Sequence, residues 1–194
     1  MQEPPSPLAP RAKIEGRLVR LRARGEPGDL ERSLTWANDY EVARFLVLRY
    51  PQSRAQEEAW FRGDACTFFN LPLAIETLEG EHIGNLDLRD VQPENRSAEL
   101  GIMLGDKRYW SRGYGSDAVR TLARFAFQVM NLQRVHLRTY EYNERGQAAF
   151  KKAGFQEEGR LRRHLYMDGR YWDVILMGCL REEFEAGDAP PGRA

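Results

Sequence analysis

The 194 residues hold 29 Lys and Arg against 29 Asp and Glu, giving zero formal net charge, and 42% are hydrophobic. That length carries one core, and the balanced charge excludes the one-signed surplus of a nucleic-acid binder. No apolar run approaches a membrane span, no charged and then apolar leader opens the chain, and Cys66 and Cys179 lack a Cys-x-x-Cys spacing, so a soluble cytoplasmic protein without structural disulfides is expected. His82, His136 and His164 are scattered, and no metal site is expected.

Four prolines in the first ten residues predict a polyproline-like disordered tail over 1–14. A single domain is expected over 15–184, followed by a flexible tail over 185–194. Arg17 to Arg22 alternates like a strand, and Pro27 to Asn38 reads as a helix. Further helical turns are predicted over 39–46 and 53–65, the latter opened by Ser53 and Gln56 at capping-box spacing. Strands over 73–78, 83–91 and 97–104 form an antiparallel meander. The arginine blocks at 20–24 and 160–163 read as solvated strand faces.

A polar insert, Gly105 to Arg112, then leads into Gly113-Tyr-Gly115-Ser116-Asp-Ala118. The two glycines remove the Cβ atoms that would keep an anion from the backbone, and the first N–H groups of the following helix lack intrahelical partners. In that helix Val119, Leu122, Ala123, Ala126, Val129 and Met130 form one apolar stripe ending at Asn131. Arg134 to Tyr140 is a strand parallel to the one before the insert. A short helix over 144–152 stops at Gly154, and strands over 155–166 and 171–180 are joined at Asp168-Gly169, a tight-hairpin dipeptide.

The stretch Trp110-Ser-Arg-Gly113-Tyr-Gly115 resembles the acetyl-CoA signature of the GNAT acyltransferase superfamily, Gln/Arg-x-x-Gly-x-Gly/Ala. An aromatic at its first position, together with the residues around it, is similar to the RimJ/RimL-type branch. The resemblance runs from about Arg17 to Phe184 and includes Trp36-Ala-Asn-Asp-Tyr-Glu-Val, Ile83-Gly-Asn-Leu, Asn143-Glu-Arg and Lys152-Ala-Gly-Phe155. It implies an α/β (α+β) GNAT fold, with a mixed, mostly antiparallel seven-stranded sheet, helices on both faces and a splay after the fourth strand. It also implies acetyl-CoA as cosubstrate and a primary amine as acceptor, either a protein N-terminus such as that of a ribosomal protein or a small amine, and leaves a homodimer open.

Glu99 is the odd charge in an otherwise apolar strand and lies 14 residues before Gly113, a spacing similar to that of the catalytic glutamate in histone-acetyltransferase members. It is the candidate base, the alternative being a partner for the many arginines. The resemblance puts the pantetheine amides along the backbone of Ile102, Met103 and Leu104, and the phosphates near Arg108, Arg112, Gly113, Tyr114, Gly115 and Ser116. It adds Asn143, Phe150 and Lys152 to the coenzyme contacts. Asn143 also suits a helix cap. Phe150 stands where many members place a tyrosine that protonates the thiolate, and Gly146 where serine is common. Phenylalanine carries no proton, so Tyr114, another hydroxyl or water would serve, or the thiolate leaves unassisted.

Trp36, Trp60, Phe61, Phe68, Phe69, Tyr166 and Trp172 are the candidates to line the acceptor pocket, and the dispersed acids weigh against a polycation there. Two other functions fit parts of the pattern. One is a non-catalytic acyl-CoA sensor, which Phe150 would suit. The other is a nicotinamide-dependent oxidoreductase, because Gly113 to Ala118 also fits Gly-x-Gly-x-x-Ala with Glu141 as a ribose acid. The polar insert before the first glycine and the single short helix after the next strand argue against it.

Overall fold

A computed structural model describes residues 14–46, 48–63 and 70–188. Among the described residues eight strands form one sheet: β1 (Ile14–Glu15), β2 (Val19–Ala23), β3 (Leu71–Thr77), β4 (His82–Gln92), β5 (Ser97–Leu104), β6 (Arg134–Tyr140), β7 (Gln156–Met167) and β8 (Arg170–Leu180). Their spatial order is β1-β2-β3-β4-β5-β6-β8-β7, with β5 and β6 parallel and the other neighbours antiparallel. The expected count of seven is corrected by β1, whose first residue falls within the segment read as a tail. The splay expected after the fourth strand accordingly lies between β5 and β6. The last helix, α6 (Arg181–Asp188), likewise continues beyond the expected boundary at residue 184.

Apolar periodicity places the layers. Helix α4 (Tyr114–Gln128) buries Ala118, Val119, Leu122, Ala123, Ala126 and Phe127 against Leu86, Leu88, Ala98, Leu100, Val135 and Leu137 of the sheet. Helix α5 (Glu144–Lys152) adds Phe150 to the same core. Val129, expected in the stripe, is 67% exposed because the helix has ended. The chain turns through Asn131 at φ 57°, and Leu132, whose N–H donates to the Ala126 carbonyl at 2.9 Å, fills the core instead.

Helices α1 (Asp29–Ala37), α2 (Tyr40–Ala43) and α3 (Arg54–Gly63) precede β3 in the chain, and α1 is tied to the other face of the sheet. A buried polar network fixes α1 there. Asp29, fully buried, takes two 2.8 Å hydrogen bonds from Arg22 and accepts from the Gly25 and Glu26 N–H groups. Arg22 also reaches Glu76 of β3 at 2.6 Å. Burial alone would raise the Asp29 carboxyl, but Arg22 and the backbone donors outweigh it and hold it lowered to about 2. His82 lies 3.0 Å from both Asp29 Oδ1 and Asn85 Oδ1, and Asn85 donates to Ser33 of α1 at 2.6 Å. Ser53 and Gln56 form the predicted reciprocal cap of α3. No helix among the described residues is long and apolar enough to cross a membrane.

Candidate active site

The parallel pairing of β5 with β6 covers only Ser97, Ala98 and Glu99 opposite Arg134, Val135 and His136. Beyond Glu99 the two strands separate, and the rest of β5 keeps its ladder with β4. A cavity of about 930 Å³ opens along this gap. Leu104 at its rim is tied down by the Trp110 indole, whose Nε1–H donates to the Leu104 carbonyl at 2.7 Å.

At one end stands the N-terminus of α4. Gly113 caps it at φ 90° and ψ −13°, a left-handed conformation that costs glycine little. The first intrahelical bond runs from Asp117 N–H to Gly113 O, so the N–H groups of residues 114 to 116 have no partner within the helix. A Cβ on Gly115 would meet nothing closer than Leu104 Cδ2 at 3.9 Å, so the surface here is open backbone. The acid of this first turn is used elsewhere. Asp117 accepts from the N–H groups of Arg17, Leu18 and Val19 at 3.2, 2.7 and 3.2 Å, which locks the helix start to β2.

Ile102, Met103, Leu104, Gly113, Gly115 and Ser116 all line the cavity. Asn143, Phe150 and Lys152 line it too. Asn143 caps α5, accepting from Gly146 N–H at 3.0 Å, while its amide donates to Thr139 at 3.2 Å. A Cβ on Gly146 would stand 2.4 Å from Asn143 Nδ2, so another residue there would require the Asn143 side chain to shift. Phe150 is 7% exposed and packs toward Phe155.

Three of the expected coenzyme residues do not line the cavity. Arg108 is bound by Asp106 and Glu81, which also accepts from the Tyr109 hydroxyl. Arg112 is exposed and donates to the Arg108 carbonyl at 3.2 Å. Tyr114 packs edge-on against Tyr109, with ring centroids 4.9 Å apart.

The other end has a polar floor. Alternation along β4 gives Asn85, Asp87 and Arg89, and β6 gives Arg138 and Tyr140. Burial pushes the Tyr140 phenol up. Glu99 does not line the cavity. Its carboxylate receives Arg138 Nη2 at 3.2 Å and Arg89 Nη2 at 3.3 Å. Burial would raise it, but the two guanidinium groups prevail and hold it below its ordinary value. Glu57 of α3 is 7% exposed in the cavity wall, and burial raises its carboxyl against the charge of Arg24.

Of the aromatic candidates, Trp60 lines the cavity and stacks edge-on with Phe61 beneath the Arg24 guanidinium. Trp36 instead lies so close to Gly105 that a Cβ there would be 2.0 Å from its ring. Trp172 belongs to a separate cluster with Tyr140, Tyr142 and Leu165, and Tyr166 is 49% exposed. Cys66, Phe68 and Phe69 lie outside the described residues. The alternation Asn85, Leu86, Asp87, Leu88, Arg89 carried a readable signal that the sequence analysis did not use, a polar face on a strand with neighbours on both sides. Arg145, whose guanidinium lies 3.5 Å over the Trp110 ring, gave no such signal.

Helix N–H groups without intrahelical partners suit a polyanion, an open strand edge suits an amide-bearing chain, and carboxylates in the floor and wall suit an ammonium. Known proteins share this arrangement's frame. The spermidine N-acetyltransferase of Vibrio cholerae, solved in complex with CoA and spermine, superposes with a TM-score of 0.77 at 23% identity, covering 86% of this chain and 98% of that one. The SPbeta prophage-derived uncharacterized N-acetyltransferase YokL of Bacillus subtilis strain 168 is 34% identical over 152 residues, which are 76% of this chain and 82% of that protein. The putative ribosomal N-acetyltransferase YdaF of the same strain is 32% identical over 107 residues, 55% of this chain, and the chain spans only 58% of its length. Residues 19–156 match the model of the acetyltransferase (GNAT) domain, and the chain belongs to the GNAT acetyltransferase family.

Proposed function

We propose that this protein transfers the acetyl group of acetyl-CoA to a primary amine. The observation that carries this is one continuous cavity running from the α4 N-terminus, along the free edge of β5, to the polar floor of β4 and β6. The N–H groups of Gly115 and Ser116, with Lys152, would hold the pyrophosphate, and the backbone from Ile102 to Leu104 the pantetheine amides. Acetyl-CoA supplies an activated thioester carbonyl at the splay. Positioning supplies much of the rate there, and the protein must also free the amine of a proton. Phe150 gives no proton to a departing thiolate, whereas the hydroxyl-bearing residues Ser111, Ser116, Thr139 and Tyr140 are among those that line the same cavity. Glu99 acts as a positioning residue that holds Arg89 and Arg138.

The acceptor we propose is a protein N-terminus in the cytoplasm, in the manner of the RimJ/RimL-type branch. The cavity lining carries five cationic side chains, Arg24, Arg89, Arg138, Arg145 and Lys152, against Glu57, Asp87 and Glu144. That balance disfavours a polyamine, which calls for an anionic pocket. Following free thiol across a panel of peptide N-termini, polyamines and amino sugars tests the proposal. Release with peptides is expected. Thermal protection by coenzyme A without release for any amine would instead mark an acyl-CoA sensor.

A further inference from the structure

The acidic residues that line the cavity are Glu57, Asp87 and Glu144. Asp87, opposite Gly101 in the β4–β5 register, is ion-paired with Arg89 at 3.8 Å, and Glu144 is exposed in the first turn of α5. Glu57 differs from both. It stands on α3 and is only 7% exposed, yet among the described residues its carboxylate takes part in no hydrogen bond and no ion pair.

A carboxylate taken out of water without a partner is costly, so such groups are ordinarily paired or hydrogen-bonded. The cation that bears on Glu57 is Arg24, which acts on it through space without closing an ion pair to it. The Arg24 guanidinium is stacked 3.8 Å over the Trp60 ring and 4.5 Å over that of Phe61. Among the described residues, the polar side-chain atoms that are sealed from solvent and lack a partner include Thr121 Oγ1 and His136 Nδ1 but not the Glu57 oxygens. Those oxygens therefore reach open space, and the open space beside Glu57 is the cavity.

Resting on the acetyl-transfer proposal, we infer that Glu57 is a specificity-determining residue that receives the ammonium of the acceptor. The ammonium is the partner that the fold leaves out, and a pairing shielded from water is stronger than one at the surface. Trp60 follows three residues later on the same face of α3, lines the same cavity and supplies apolar surface for the carbon chain that carries the amine. No bond is made or broken at Glu57. It selects the charged amine and holds it in the cavity, which lowers KM without entering the transfer step. A single ammonium is what Glu57 accommodates, and the further charges of a polyamine would meet Arg24, Arg89 and Arg138 of the lining.

The test uses Glu57→Gln in the full chain, which keeps the shape of the side chain and removes its charge, with n-butylamine, charged at neutral pH, and hydroxylamine, uncharged there. The variant should raise the KM for n-butylamine about ten- to a hundredfold, the size of losing a hydrogen bond to a charged group, and leave kcat within about threefold. With hydroxylamine both constants should stay within about threefold of wild type. The variant's Tm should hold or rise, because a buried charge without a partner is gone, and calorimetry should give an unchanged acetyl-CoA Kd. A Tm below wild type would make Glu57 a structural carboxylate and overturn the assignment. Equal losses with both nucleophiles, weakened acetyl-CoA binding, or a wild-type KM for n-butylamine would do the same, as would a wild-type protein that acetylates other amines but not n-butylamine. A wild-type protein that releases no thiol with any amine would refute acetyl transfer itself, and the role of Glu57 with it.

Discussion

The two glycines of the cradle should answer alanine substitution differently in both stability and binding. Gly113 sits at φ 90°, and a Cβ there would meet only Leu18 Cδ1 at 3.4 Å, so alanine fits sterically but pays for the left-handed backbone. That cost is about 1–2 kcal/mol, or roughly 2–8 °C in Tm for a domain of this size. Gly115 lies within α4 with open space before it, so alanine there should gain up to ~1 kcal/mol of helix propensity and hold or raise Tm. Its methyl is one that the Gly/Ala position of the signature admits, so coenzyme A binding should hold. Gly113→Ala disturbs the N–H groups of the helix start by moving the turn that aims them. Gly113→Ala should weaken coenzyme A about ten- to a hundredfold while Gly115→Ala stays within about threefold of wild type, measured by calorimetry beside thermal melts of both proteins. A Gly113→Ala protein that binds coenzyme A as well as wild type would refute the placement of the cradle.

Asp29→Ala leaves Arg22 buried beside Glu76 without its main partner, and should cost about 3–5 kcal/mol in urea unfolding at neutral pH. Because the folded Asp29 carboxyl is lowered to about 2, its contribution is fully present above its ordinary range and is lost as pH falls through that range toward 2. The gap between wild type and variant should therefore shrink below about pH 4, and a gap constant down to pH 2 would contradict the network. Glu99→Gln releases Arg89 and Arg138 from their shared carboxylate and leaves Arg89, already ion-paired with Asp87 at 3.8 Å, to shift within the acceptor end of the cavity. The expected result is a higher acceptor KM by a factor independent of pH. A ratio of rates that narrows as pH rises toward the acceptor pKa would return Glu99 to the role of base.

The meander, the hairpin at Asp168-Gly169 and the glycine turn that opens α4 were legible in the sequence because each rests on local chemistry. Alternation builds β3 to β5, and the hairpin turn needs the two positive φ values that Asp168 and Gly169 adopt, 53° and 79°. The two-residue β1 was not legible, since its pairing of Ile14 with Leu21 is set by the sheet and not by its own residues. Trp36 was expected at the acceptor, yet it packs on the backbone of Gly105, and no spacing in the chain encodes that contact. Arg108 was expected at the phosphates because it lies near Gly113. Glu81, 27 residues away, claims it through a fold that only the assembled sheet provides. Glu99 stands out in the sequence as a charge on an apolar strand, but its partners on β4 and β6 come from register. The same register sets Asp87 over Gly101, and periodicity shows the face of each without showing that they meet.

The account stands most directly on what the α4 N-terminus binds. Isothermal titration of the intact chain with acetyl-CoA, and in parallel with NAD, measures this without an acceptor. One saturable acetyl-CoA site with no heat from NAD is the predicted result. Binding of NAD in preference to acetyl-CoA would contradict it.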